Sequence, residues 1–153
     1  MKQSGAWLVA TMSTVNGYKE RIAADPNAYS PEVRTKIDWR IGITGKSFRR
    51  AVEAGVNIAY GTDAGVSMHG RNADEFELMV EHGMTPQQAL TAATLGSATL
   101  LGEQERLGSL EPGKLADVIA VQGNPLEDVR VLKRVDWVMQ GGRVVHSPER
   151  PLE

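Results

Sequence analysis

"VNIAYGTDAGVSMHGRN", residues 56–72, is an apolar run that stops at an acid and passes at once into a glycine-rich segment carrying a histidine and an asparagine. From Val56 to Tyr60 there is no strict alternation of apolar and polar side chains, the pattern of a strand covered on both faces, as in parallel sheets. Asp63 stands where that strand runs out. In architectures of parallel strands, ligands collect at the carboxyl ends, where loops carry reactive side chains on a rigid frame. Position alone leaves Asp63 two roles. Gly61-Thr62-Asp63 can be an ordinary strand-ending turn with a solvated acid. The carboxylate can instead bind a divalent metal or act as a general base, which requires histidines or further carboxylates from other strand ends.

Upstream, "AWLVATM" (6–12) is an apolar run of strand length, and the "NGY" that follows supplies turn chemistry. A polar stretch punctuated by Asp25-Pro26 and Ser30-Pro31 reads as a loop, with Ser30 at an N-cap and Pro31 at the first helical position. Val33, Ile37, Ile41, Phe48 and Val52 then recur on one helical face, although Gly42 and Gly45 weaken the middle, so one long helix or two in series should end at Gly55. Strand 6–12, this helix and strand 56–60 make one βαβ unit with a right-handed crossover. Downstream, Asn72 is placed to cap a helix with Glu75 three residues on, Phe76, Met79 and Val80 on one face, and Gly83 as the stop. Thr85-Pro86-Gln87-Gln88 is a cleaner capping box, leading through "ALTAATLGSATLLG" to Gly102. Beyond Gly108 the chain predicts a Pro112-Gly113 turn, a strand from Leu115 to Val121, an Asn124-Pro125 turn, and a hairpin "VDWVMQGGRVV" with Gly141-Gly142 at its tip. "SPERPLE" reads as a frayed tail.

At 153 residues and 41% hydrophobic, the chain can bury a real core. A net charge of −2 gives no basic field, so neither nucleic acid nor an anionic membrane surface is a favoured partner. No apolar run approaches the ~20 residues a membrane span requires. The absence of cysteine excludes disulfides, thiolate nucleophiles and Cys-ligated zinc. Without a secretory pattern at the N-terminus the expected location is cytoplasmic, any export signal lying upstream of Met1. None of the three histidines shows ligand spacing with another. His82, beside Gly83, fits a helix-end cap; His146 has no assigned role; His69, in a glycine-flanked segment directly after the acid, is a candidate substrate contact. "GITGKS" (42–47) ends like a phosphate loop, but Arg40 stands where that motif needs glycine. "GTDAG" has no serine for a nucleophile elbow.

Three motifs in order, "GTDAG" (61–65), "TPQQALTAAT" (85–94) and "GSLEPGKLAD" (108–117), carry a family resemblance. The chain resembles the C-terminal third of the amidohydrolase superfamily, closest to its Xaa-Pro dipeptidase and imidazolonepropionase-like branch, over about residues 48 to 145. Residues 6–12 resemble the seventh barrel strand more loosely. The resemblance implies an α/β fold, a C-terminal portion of a metal-dependent (β/α)8 TIM barrel plus part of a small β-sandwich, with the barrel incomplete in this chain. Residues 1–107 would be the last βα units, 108–147 the β-sandwich segment and 148–153 a tail.

The same resemblance gives Asp63 the place of the aspartate ending the eighth strand, which contacts the metal and carries a proton from the activated water to the leaving amine. His69 and Asn72 match an HG-x-N segment near the substrate, with His69 a candidate for holding a substrate carboxylate. Ser67-Met68 stand where relatives often have an aromatic residue and proline. The implied cofactor is a divalent metal, zinc, whose remaining ligands belong upstream of Met1. A complete barrel takes roughly 250 residues, so this chain is expected to need the missing N-terminal half, or an oligomer partner, to close it. The implied activity is hydrolysis of C–N bonds in dipeptides, Xaa-Pro-type, or cyclic amides, with the chain inactive alone. The alternative is a noncatalytic α/β binding or assembly module in which Asp63 is structural.

Overall fold

In the computed structural model, which describes residues 1–149, Trp7–Val9 (β1) and Asn57–Ala59 (β2) pair in parallel, Trp7 opposite Asn57 and Val9 opposite Ala59. Ile58 and Ala59 are both buried although they point to opposite faces, as a strand covered on two sides requires. The crossover between the strands is helical. Pro31–Ile43 (α2) begins at Ser30, whose hydroxyl accepts from the Val33 amide, and Lys46–Glu53 (α3) follows after Gly45, whose positive φ of 85° breaks the run into two. Phe48 from α3 enters a core with Met12, Ile58, Met79, Ala89 and Ala92. Val33, placed on the apolar face by its spacing, is 43% exposed; the buried side of α2 is held by Ile37.

Thr14–Ala24 is the first helix of the chain (α1), and Asp74–Glu81 (α4) contributes Met79 to that core. Residues 14–24, expected as turn and loop, form this first helix instead. Gly17, which looked like a turn marker, lies inside it and is buried against residues 66–67: a Cβ at position 17 would lie 2.3 Å from the Val66 carbonyl oxygen. The glycine therefore permits close approach and does not mark a turn. Asn72 does not cap α4; the N-cap is Ala73, with no side-chain hydrogen bond. The capping box at Thr85 forms as expected, starting Pro86–Thr91 (α5).

The helix does not then run unbroken to Gly102. Ala92–Gly96 is a π-helical turn, followed by Ser97–Leu100 (α6). The Ala92 carbonyl accepts from the Tyr60 amide at 3.2 Å and from the Ser97 hydroxyl at 2.8 Å, so the widened turn docks on the end of β2. Gly96 makes the approach possible, because a Cβ there would lie 3.2 Å from the Ile58 carbonyl oxygen.

Val118–Val121 (β3), Val135–Gln140 (β4) and Arg143–His146 (β5) form an antiparallel sheet in that order. Its β3 starts three residues later than expected, and Gly141 and Gly142, both at positive φ, make the two-residue β4–β5 turn. A 3-10 segment, Val129–Lys133, leads into β4, and Lys133 pairs with Asp74 at 3.0 Å and with Glu77, both on α4. Of the expected tail, residues 150–153 lie outside the described residues. Among the described residues no helix is long and apolar enough to cross a membrane.

Two glycine substitutions separate packing from propensity. Gly17→Ala should destabilise by about 1–3 kcal/mol, the usual effect of forcing an atom into filled space. Gly42→Ala, in α2 with nothing within 4 Å of a new Cβ, should stabilise by roughly 0.5–1 kcal/mol. Urea unfolding of the two variants measures both signs.

Candidate active site

Both parallel strands end in backbone that side chains rarely adopt. Thr11, two residues beyond β1, has φ 47°, and Asp63, four beyond β2, has φ 53°; they are the non-glycine residues with positive φ among those described. Such conformations cost on the order of 1–3 kcal/mol each and persist only where surrounding contacts over-determine them. The contacts are identifiable. The Thr11 carbonyl accepts from the Thr14 hydroxyl at 2.9 Å, and Arg40 of α2 donates to that hydroxyl at 3.4 Å. The Asp63 turn is closed by the Val66 amide donating to the Asp63 carbonyl at 3.2 Å.

The two ends are joined through a buried acid. Glu75, on α4 and 1% exposed, accepts hydrogen bonds from the Met12 amide at 2.9 Å and the Ser13 amide at 2.7 Å. The Ser13 amide belongs to the N-cap of α1, a helix with no side-chain cap of its own, and the Met12 amide precedes it, so Glu75 holds the start of that helix from more than 60 residues away. The Ser13 hydroxyl lies within reach of both the Glu75 carboxylate and the Thr62 carbonyl, the latter at 3.3 Å. Val9 packs against Gly61, where a Cβ would lie 2.4 Å from its methyl carbon. Burial raises the Glu75 carboxyl above its ordinary range, and the Met12 and Ser13 donors offset only part of that. Tyr60, stacked at 4.5 Å on Phe76, donates its hydroxyl to the Asn72 carbonyl at 2.5 Å; burial, then the charges of Glu75 and Asp74, push its pKa up.

Asp63 itself is exposed, and its carboxylate makes no hydrogen bond or ion pair with any described residue. His69 and Asn72 are exposed on the same loop. His69 lines a groove of about 620 Å³ between α1 and residues 65–69, where Arg21 donates to the Gly65 carbonyl at 3.2 Å. Among the described residues no group of three or more His, Asp or Glu side chains could hold a metal ion. His82 ends α4 as expected, with its ring packed over Gly45. Glu75 was missed as a site residue because its position three after Asn72 reads as a local capping box. Its spacing of four from Met79 does place it on the buried face, and that was the available signal.

The amidohydrolase family profile matches residues 1–145. This chain belongs to the amidohydrolase family. Aspergillus niger ochratoxinase is 37% identical over 153 residues, covering 97% of this chain and 31% of the ochratoxinase. Geobacillus kaustophilus imidazolonepropionase is 35% identical over 103 residues, 63% of this chain and 24% of that enzyme. A crystal structure of a Xaa-Pro dipeptidase with methionine bound in its active site superposes with a TM-score of 0.89 at 43% identity, over 95% of this chain and 36% of the dipeptidase. The chain spans about a third of the length of the first of these relatives and of the dipeptidase. Its α/β fold is that of a C-terminal portion of an amidohydrolase barrel with part of the accompanying β-domain.

Glu75 also fixes a pH dependence. Its folded pKa is raised, so the folded chain holds an extra proton above the ordinary 4.5, and stability is lost as pH rises through that window. Asp74 has the opposite sign: burial opposes its charge, but Lys133 and Arg71 overcome that and lower its pKa, so its contribution is lost only as pH falls below 3.8. Wild type should therefore lose stability relative to Glu75→Gln as pH rises from 4.5 toward neutrality, read from urea midpoints. A difference that is flat with pH would contradict the assignment.

Proposed function

We propose that this chain forms the rim of a metal-dependent amidohydrolase that cleaves C–N bonds in dipeptides, Xaa-Pro-type, or cyclic amides. Residues 1–107 act as barrel units and 108–147 as the β-sandwich segment. The observation that carries the proposal is the free, exposed carboxylate of Asp63, held on left-handed backbone beyond a parallel strand in a family member. The donor set fits one place in a metal site: a hard oxygen ligand suits a divalent cation such as zinc, and no group of three or more His, Asp or Glu side chains that could hold it occurs among the described residues, so further ligands would have to come from other strand ends. When bound, the cation supplies Lewis-acid activation of water and carbonyl.

Asp63 then has a defined task. Its carboxylate takes a proton from the attacking water and returns it to the leaving amine nitrogen. His69 and Asn72, on the loop that Asp63 opens, hold the substrate, with the His69 imidazole directed to a carboxylate of a dipeptide. Support comes from their exposure and from the groove beside His69, whose Val66 and Met68 offer apolar surface next to a cationic Arg21.

Two measurements test this. The purified chain with added zinc should hydrolyse neither dipeptides nor N-acyl amino acids, and should gain activity and bound zinc when the N-terminal barrel strands are supplied. In the completed enzyme, Asp63→Asn should lower kcat by about 10²- to 10⁴-fold while leaving the fold intact. Turnover by the chain alone at the rate of full-length relatives, or a silent Asp63→Asn, would overturn the proposal, the second in favour of a noncatalytic module.

A further inference from the structure

We infer that Glu75 is a positioning residue: its buried carboxylate, by holding the Met12-Ser13 turn against Thr62, sets the left-handed backbone from which Asp63 presents its carboxylate. The inference rests on the proposed role of Asp63 and adds a residue that acts on it without touching substrate.

The geometry carries it in three steps. Glu75 is the fully buried acid of α4, and the hydrogen bonds to its carboxylate come from the β1–α1 turn, not from its own helix. A buried carboxyl group without a cationic partner is costly, and here its two oxygens accept from two adjacent amides. Ser13, 1% exposed, is therefore held at its backbone by Glu75, and its hydroxyl reaches the Thr62 carbonyl at 3.3 Å, one residue before Asp63. On the opposite side the Asp63 turn is backed by α1, through Gly17 beneath Val66 and Arg21 on the Gly65 carbonyl. Since Glu75 caps the start of α1, one carboxylate governs both supports of the turn.

Asparagine, aspartate and glycine tolerate left-handed φ best, but an aspartate stays there only when its neighbours hold it. Glutamine at position 75 keeps the size of the side chain and has one acceptor oxygen; its NH₂ would face an amide N–H, so one of the two bonds is lost. Removing the Ser13 hydroxyl cuts the second link and leaves the Glu75–amide bonds in place.

The test uses this 153-residue chain and nuclear magnetic resonance. Glu75→Gln and, separately, Ser13→Ala are compared with wild type through the three-bond amide–Hα coupling and chemical shifts of Asp63, with β3, β4 and β5 signals as a fold control. Both variants should move the Asp63 coupling away from its left-handed value while the control signals stay, and Glu75→Gln should make the Met12 and Ser13 amides exchange about tenfold faster. An Asp63 coupling unchanged in a folded Ser13→Ala or Glu75→Gln chain overturns the inference and leaves Glu75 a stability element. Should Glu75→Gln fail to fold, Ser13→Ala alone decides. The readout needs no turnover, so an Asp63 turn that moves as expected beside a silent Asp63→Asn would overturn the catalytic role of Asp63 and not the positioning.

Discussion

A single buried carboxylate organises the strand ends. Glu75 sits in the core beside Met79, where an ionisable group is unfavourable unless its oxygens are satisfied, and it is satisfied by two backbone amides of a turn 62 and 63 residues earlier in the chain. That choice of partner holds the start of α1 and sets Ser13 against Thr62. Packing a leucine at position 75 would fill the same space, but two amides at a helix start would then lose their acceptor. The interaction is long-range in sequence, which makes the β1–α1 turn and α4 stable only together.

Around this tie the rest of the chain is fastened by weaker means. Arg71 pairs with Asp74 at 2.6 Å and with Glu20 of α1, and Lys133 joins Asp74 and Glu77 to the segment entering β4. These groups are 34–41% exposed except Asp74, so screening by solvent keeps each contact small; the nearly buried Asp74 at their centre is the member whose loss of partners would be felt. The π-turn at Ala92 serves a different purpose, giving the Tyr60 amide an acceptor at the end of β2.

Much of this was legible in sequence because it depends on local chemistry. The parallel pair, the Ser30 and Thr85 caps, the break at Gly45 and the Gly141-Gly142 turn follow from residue types that allow few alternatives. Asp63 was legible as the residue where a doubly covered strand ends. What escaped has a common cause: its determinants lie far apart in the chain. Gly17 reads as a turn until Val66 is seen lying on it, Ser13 as nothing until its amide meets Glu75, and Glu75 as a cap for its own helix. The π-turn has no local signature either, since it is stabilised by an amide donated from β2. His69 and Asn72 are singled out by a motif; the fold exposes both on the loop after Asp63, and His69 lines a groove there.

Hydrogen exchange of the wild-type chain tests the central tie most directly. If Glu75 holds the β1–α1 turn, the Met12 and Ser13 amides, neither of which bonds within a regular element, will exchange as slowly as the core amides of α4. Exchange of those two amides as fast as that of the exposed residues 68–70 would contradict the claim that a buried carboxylate governs the rim.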